Sequence, residues 1–558
     1  MKKSLLRAKT WHGKTFSAFI GIIFIISLTG CTIMKNKADL IIHNAKIYTV
    51  DNSFSVKTAV AVTNGKIVAV GDEKLLEKYE SENIIDMNGK PVYPGFIDGH
   101  CHFYWYGVNL RHADLVDSQS FEEILEILER HHKEHDDNWL LGRGWDQNDW
   151  PEKKFPTREK LDELYPETPV LLTRIDGHAV LANEAAMNAA GITSLSDITK
   201  GEAIVENGKM TGVFLENTAD KFKDAVPELE LKEKQQALMD AQKNCFAVGL
   251  TTVVDAGLDY GTIQIIKNMQ DQGDLKMRMD IMLTPNEENI EKYVKRGPYK
   301  TDYLHIHSIK LYADGALGSR GACLLEPYSD APDTYGMLVK DPEYYIEKFK
   351  LAYKYDYQVN THTIGDSAGR FILKNYGKIL RSNNNRRWRI EHAQIIHPDD
   401  FKLFGKFNII PSIQSTHATS DMYWAEDRIG PERIKVSYAF QDLLEENGWL
   451  VNGTDFPIEN INPLYTFYSA VARKDLNGYP EEGFQMENAL TREQALRSMT
   501  IWAAKGSFEE HDKGSIEPGK MADFVVLDRD IMQIESDDIP GAEVVSTFVA
   551  GEQVHGAE

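Results

Sequence analysis

The chain has 558 residues, 42% of them hydrophobic and 26% charged, and a formal net charge of −23. That length supports a large core and more than one structural unit. Such acidity makes nucleic acid and anionic lipid surfaces poor partners, and solubility alone accounts for the charge.

Taken in chain order, the first segment reads as an export signal. Lys2, Lys3, Arg7, Lys9 and Lys14 precede an apolar run from Phe16 to Gly30. That run is shorter than the ~20 residues of a spanning helix. It ends in Leu28-Thr29-Gly30-Cys31, which resembles the lipobox of bacterial lipoproteins. The resemblance implies that residues 1–30 are a signal peptide, that Cys31 is acylated, and that the exported protein is membrane-anchored. The plainer reading is an uncleaved anchor with a chance cysteine. Cys101, Cys245 and Cys323 form no CxxC pair and suit small buried positions.

Residues 31–92 read as a small all-β unit with an Asn64-Gly65 hairpin turn, and 513–558 continues in the same style. The two ends are expected to pair into one composite β-sandwich. Between them, residues 93–512 alternate strands and helices. The predicted strands are Pro94–Asp98, Leu250–Asp255, Met277–Leu283, His307–Ala313, Gln358–Thr363, Trp388–Ala393, Ile409–Ile413 and Leu450–Asp455. Eight is the number a (β/α)8 barrel requires. Helices are expected at Pro342–Tyr353 and Arg492–Lys505. Residues 103–249 are too long for one βα loop and read as an inserted subdomain over the mouth. It carries a strand from Val170 and a hairpin at Asn207-Gly208.

Pro94-Gly-Phe-Ile-Asp-Gly-His-Cys-His102 is the most informative stretch. On a strand, residues i and i+2 share a face, so His100 and His102 can reach one metal ion together. Barrel enzymes place their chemistry at the C-terminal strand ends. Those ends carry His100 and His102, then Lys310, His362, His392 and Asp455. Imidazoles with a carboxylate are ligands that zinc prefers. Singly, each admits a plainer reading. His392 could be a core histidine bonded to Glu391, His362 a strand-end cap, Asp455 a turn residue, and Lys310 an ammonium paired with Asp314. Coincidence at the ends of one barrel is what favours the metal reading. His305 and His307, on the strand of Lys310 but with opposite parity, are expected to face the helical layer and are rejected as ligands.

Five segments carry a family resemblance: Pro94 to His102, Lys310-Leu-Tyr-Ala-Asp314 to Arg320-Gly, Pro411-Ser-Ile-Gln-Ser-Thr-His417, Asn452-Gly-Thr-Asp455-Phe-Pro, and Lys513-Gly-Ser-Ile-Glu-Pro-Gly. They resemble the amidohydrolase superfamily, family 3, the YtcJ-like and N-substituted formamide deformylase-like branch. The resemblance implies an α/β fold, a distorted (β/α)8 TIM barrel with a composite β-sandwich. It also implies metal-dependent hydrolysis of a non-peptide C–N bond in a small molecule, of N-acyl or N-formyl amide type. One or two divalent ions, zinc in the first place, are implied. His100, His102 and Asp455 would hold one, His362 and His392 the other, with Lys310 bridging as a carbamate.

Asp455 would act as general base, and His178 would polarise the carbonyl. Trp145, Arg320 and His417 are expected to touch substrate. Relatives are often homodimers. The same barrel could instead open a lactone, phosphoester or cyclic amide. A non-catalytic binding or regulatory lipoprotein would be expected to lack ligands, and none is missing.

Overall fold

A computed structural model of the chain describes residues 35–116, 118–134, 138–147, 150–174, 179–198 and 202–556. The predicted signal segment with Cys31, and His178, lie outside the described residues.

Strands from both ends of the chain build the small β-unit. One four-stranded sheet holds Leu40–His43, Ala59–Thr63, Lys66–Gly71 and Ile84–Asp86. A six-stranded sheet interleaves Lys46–Tyr48, Val56–Lys57 and Pro91–Pro94 with the C-terminal Phe524–Leu527, Val544–Val549 and Glu552–Gly556. Asn64 (φ 51°) and Gly65 (φ 70°) take the paired left-handed conformation that a tight two-residue hairpin turn needs.

The large unit is a nearly closed parallel barrel. Its strands are β1 (Phe96–Cys101), β2 (Leu250–Leu258), β3 (Arg278–Leu283), β4 (Leu304–Tyr312), β5 (Gln358–Thr363), β6 (Arg389–His392), β7 (Ile410–Ile413) and β8 (Val451–Asn452). They neighbour one another in that order. Each is buried almost throughout, as strands covered on both faces must be.

Two glycines let β8 return to β1. A Cβ on Gly99 would lie 2.2 Å from Val451 Cγ1, and one on Gly453 would lie 2.5 Å from the His100 nitrogen. The seam is stitched by Asp455 N–H to the His100 carbonyl and His102 N–H to the Phe456 carbonyl, both 2.8 Å. Buried Asp98 accepts from the backbone N–H of His100 and Thr454 and from the Thr454 hydroxyl. It thus fixes both histidine-bearing and aspartate-bearing ends.

The inserted sheet has six strands, from Ala113–Asp114 to Lys209–Leu215, and its own apolar cores around Trp145 and Phe214. The helices flanking it, Phe103–Asn109 and Leu231–Ala247, pack on each other and on β2. Among the described residues, no helix is long and apolar enough to cross a membrane.

Three local expectations need correction. The first barrel strand starts at Phe96, because Pro91–Pro94 is already paired with Phe524–Val526 of the sandwich. The expected helix Arg492–Lys505 is two helices, Arg492–Ser498 and Ile501–Gly506, broken where Thr500 leaves helical geometry (φ −138°, ψ −100°). His305 and His307 do not face the helical layer. The register against β3 slips there: Ile306 pairs with Ile281 but Ser308 with Met282, leaving His307 as an extra residue. Such a bulge resets the alternation. Leu304, Ile306, Ile309 and Leu311 join the main core, and the two histidines come to the side of Lys310.

Candidate metal centre

At the C-terminal mouth the strand ends gather His100, His102, Lys310, His362, His392, His417 and Asp455. Asp455 is the hub. Its Oδ1 lies 3.2 Å from His102 Nε2 and 3.6 Å from His100 Nε2; its Oδ2 lies 3.7 Å from His417 Nε2 and 4.0 Å from His392 Nδ1. Two ligand groups therefore share one carboxylate: His100, His102 and Asp455, and His392, His417 and Asp455. Asp455 (φ 64°) and His392 (φ 73°) both take the left-handed backbone conformation rare for side-chain-bearing residues. Strain of this kind concentrates at functional sites.

Hydrogen bonds aim the rings. His100 Nδ1–H meets Glu391 Oε2 at 2.5 Å and His102 Nδ1–H meets the Ala256 carbonyl at 3.1 Å. Each ring is thereby left with its Nε2 lone pair toward Asp455. His392 Nδ1 holds Gln414 Oε1 at 2.6 Å. Glu391 is itself clamped. Arg389 Nε sits 2.7 Å from Oε1, and the Ser412 hydroxyl donates to Oε2 at 2.6 Å. Burial would raise the Glu391 carboxyl, but Arg389 and His100 more than offset it and bring it down to about 2.

Burial, reinforced by Lys310, lowers His100 to about 4 and His362 to about 3, and burial with His362 drives His392 well down. Burial opposes charge on Asp455 too, yet His102, His100 and His392 hold it well below the usual carboxylate range. The result is neutral rings at His100, His362 and His392 beside an ionised Asp455. Among the described residues, the buried Asp455 Oδ1, His362 Nε2 and His417 Nε2 have no hydrogen-bond partner. Unpartnered lone pairs gathered in this way suit a divalent cation.

Lys310 Nζ is buried, 2.9 Å from His100 Nε2. Burial lowers it to about 8. The alternative partner, Asp314, is instead bound by the backbone N–H of Cys323, Ile364 and Gly365. His362 stacks edge-on to His392, ring centres 4.5 Å apart.

The expected substrate residues divide. His417 comes into the centre itself. Trp145 does not: it is fully buried in the insertion's core, with Nε1–H on the Leu172 carbonyl. Its apolar surface is consumed by packing, and none is left for a ligand. Arg320 is held bidentately by Asp330, at 3.1 and 2.6 Å, so its charge is already met. Glu391, Arg389 and Gln414 were missed by sequence reasoning. An Arg-x-Glu pair on a buried strand puts opposite charges on one face and is a readable sign of an internal ion pair.

Beside the mouth, a cavity of about 730 Å³ opens between helix Phe103–Asn109 and the inserted sheet. Tyr104, Trp105, Val108, Leu141 and Leu171 line it, with Arg143 and Asp259 among the polar wall. A smaller cavity of about 190 Å³ lies against Lys310 and Tyr312.

Residues 83–555 match a family described as Amidohydrolase family. The chain is 33% identical to Protein LONG AFTER FAR-RED 3 of Arabidopsis thaliana, over 93% of this chain and 92% of that one. It is 31% identical to Putative amidohydrolase YtcJ of Bacillus subtilis, over 92% and 98%. It is 27% identical to N-substituted formamide deformylase of Arthrobacter pascens, over 93% and 98%. An uncharacterized metal-dependent hydrolase from Pyrococcus horikoshii superposes with a TM-score of 0.77 at 28% identity, covering 89% of this chain and 99% of its own.

Proposed function

Because the chain belongs to the amidohydrolase family, we propose that it is a metal-dependent hydrolase acting on a non-peptide C–N bond of N-acyl or N-formyl amides. The observation that carries this reading is Asp455 shared between two imidazole groups, with buried lone pairs left unpartnered among the described residues. The likeness to N-substituted formamide deformylase supports the choice of bond.

His100, His102 and Asp455 would hold one divalent ion, zinc by the chemistry of the donors. His392 and His362, with His417 beside them, would hold a second. Bound there, such an ion polarises the substrate carbonyl and lowers the pKa of a coordinated water to roughly 7. Asp455, ionised and at the hub, takes the proton of the attacking water. It then delivers that proton to the departing nitrogen, because an amine leaves poorly as an anion. Glu391 keeps His100 in the tautomer that offers Nε2. Lys310, buried and with no carboxylate in hydrogen-bond contact among the described residues, would bridge the two ions as a carbamate. Its neutral amine adds to carbon dioxide, forming one N–C bond and releasing one proton. The 730 Å³ cavity beside the mouth, apolar over much of its wall, would take the substrate's hydrophobic portion.

The test is a panel of N-formyl and N-acyl amides with chelator-treated and zinc-restored protein. Turnover that is lost with the metal and restored with it supports the reading. A folded, metal-loaded chain that ignores every amide but opens a lactone or phosphoester would overturn the bond assignment.

The basic start, the apolar run and Cys31 support export and a lipid anchor. Incorporation of labelled palmitate that vanishes in Cys31→Ser would bear this out; equal labelling of both would refute it.

A further inference from the structure

A second group of ligand-type side chains lies away from the mouth. Asp280 on β3 and His305 and His307 on β4 offer one ligand atom each, all within 4.8 Å of one another. All three are buried, at 1%, 7% and 4% exposure. Lys310 stands three residues further along β4, about 10 Å at strand rise, so this group is distinct from the centre above.

Its polar atoms are poorly satisfied. Asp280 Oδ1 and His307 Nδ1 approach to 3.1 Å but do not align as a hydrogen bond, and both count as unpartnered. Among the described residues, the buried His305 Nδ1 and His307 Nε2 have no partner either. The mouth shows the same pattern, where Asp455 Oδ1 sits 3.2 Å from His102 Nε2 and has no hydrogen-bond partner. A fourth donor stands near. Glu509 Oε1 is 3.9 Å from His305 Nδ1 and 3.3 Å from Lys300 Nζ, while its Oε2 takes Lys513 at 2.7 Å, so a cation there would displace Lys300 from Oε1.

The surroundings suit a structural role. Phe508 packs edge-on against His307, ring centres 5.4 Å apart, and Gly506 accepts from Gln358 at the start of β5. The segment after the last helix thus plugs the barrel's N-terminal end. Glu509 also lines an open cavity of about 330 Å³ with Lys300, Asp512 and Lys513.

We propose that Asp280, His305, His307 and Glu509 form a second divalent-cation site, of the closed nitrogen-and-carboxylate type that zinc favours, tying β3 and β4 to the plug. The two rings now stack with centres 4.0 Å apart, and ligation turns them out of that stack so that their lone pairs converge.

Anomalous diffraction at the zinc edge, from crystals of the zinc-loaded full chain, tests this without any substitution. The expected result is a peak among Asp280, His305 and His307, separate from any peak at Asp455. No peak there, whatever the mouth holds, overturns the proposal and leaves a stacked imidazole pair beside a carboxylate. Elemental analysis gives a second arm. Asp280→Asn with His307→Gln should lose one zinc equivalent while amide turnover stays within about twofold. Unchanged zinc content in a folded variant overturns the proposal equally.

Discussion

Glu391 meets His100 Nδ1 at 2.5 Å inside the barrel, and this contact decides which nitrogen of His100 faces Asp455. Arg389 and Ser412 hold the carboxylate in place. Groups that orient a metal-binding histidine typically govern affinity by 10–100-fold. Glu391→Gln should weaken zinc binding by about that factor, read by chelator competition, with a smaller loss of turnover at saturating zinc. Unaltered zinc affinity would remove Glu391 from the site.

Asp455 joins both ligand groups and is the proposed proton carrier. Asp455→Asn keeps the shape but removes the charge and the basicity. Turnover should fall by about 10³-fold or more, since a positioned base alone contributes 10²–10⁴. Circular dichroism should show an intact fold. A variant with a near-normal rate would exclude the proposed role.

Lys310 carries its own signature. Protein prepared with ¹³C-labelled bicarbonate should show a carbamate carbon by NMR, absent from Lys310→Ala. The same variant should lose one metal equivalent and at least about 10² in turnover, as expected when a bridging ligand goes. Full metal content and rate in Lys310→Ala would end the bridge.

Trp105 stands half-exposed on the wall of the large cavity. If that cavity takes the hydrophobic end of the substrate, Trp105→Ala should raise KM for bulky aromatic amides by about tenfold, from lost apolar burial. KM for a small N-formyl amide should hardly move. Equal effects on both would place the substrate elsewhere.

The sandwich offers a pH test far from the metal. Asp530 accepts from Lys46 Nζ at 2.6 Å, Tyr48 O–H at 2.9 Å and Tyr93 O–H at 3.1 Å. Burial pushes its carboxyl up, but Lys46 and Tyr48 with the Met532 N–H outweigh this and leave it below the usual value. A lowered folded pKa means stability that is fully present above the unfolded value and lost as pH falls through the folded one. Asp530→Asn should therefore cost about 1–3 kcal/mol at pH 7. The gap from the parent should close as pH drops below about 4. Urea unfolding at pH 7 and pH 3 reads both values. A gap that widens in acid would contradict the assignment.

The barrel was legible because parallel strands covered on both faces read as apolar runs, several of them carrying a polar residue toward the mouth. Gln358–Thr363 is reproduced residue for residue, and His100, His102, His392 and Asp455 converge as their strand ends imply. What misled was local and left no trace in composition. Trp145 reads equally well as a binding aromatic or a core one, and only the closure of the inserted sheet buries it. Arg320 advertises a free charge until folding brings Asp330 to it.

By itself, then, the sequence determined the order of the strands and the residue types at their ends, since hydrophobic periodicity and His-x-His spacing are properties of the chain. Only the tertiary structure decided which lone pairs converge. Register pairs His305 directly with Asp280, one extra residue at His307 brings Lys310 to the same side of the sheet, and the β1–β8 seam brings Asp455 within reach of histidines more than 350 residues earlier. All depend on register between strands distant in sequence, which no local pattern encodes.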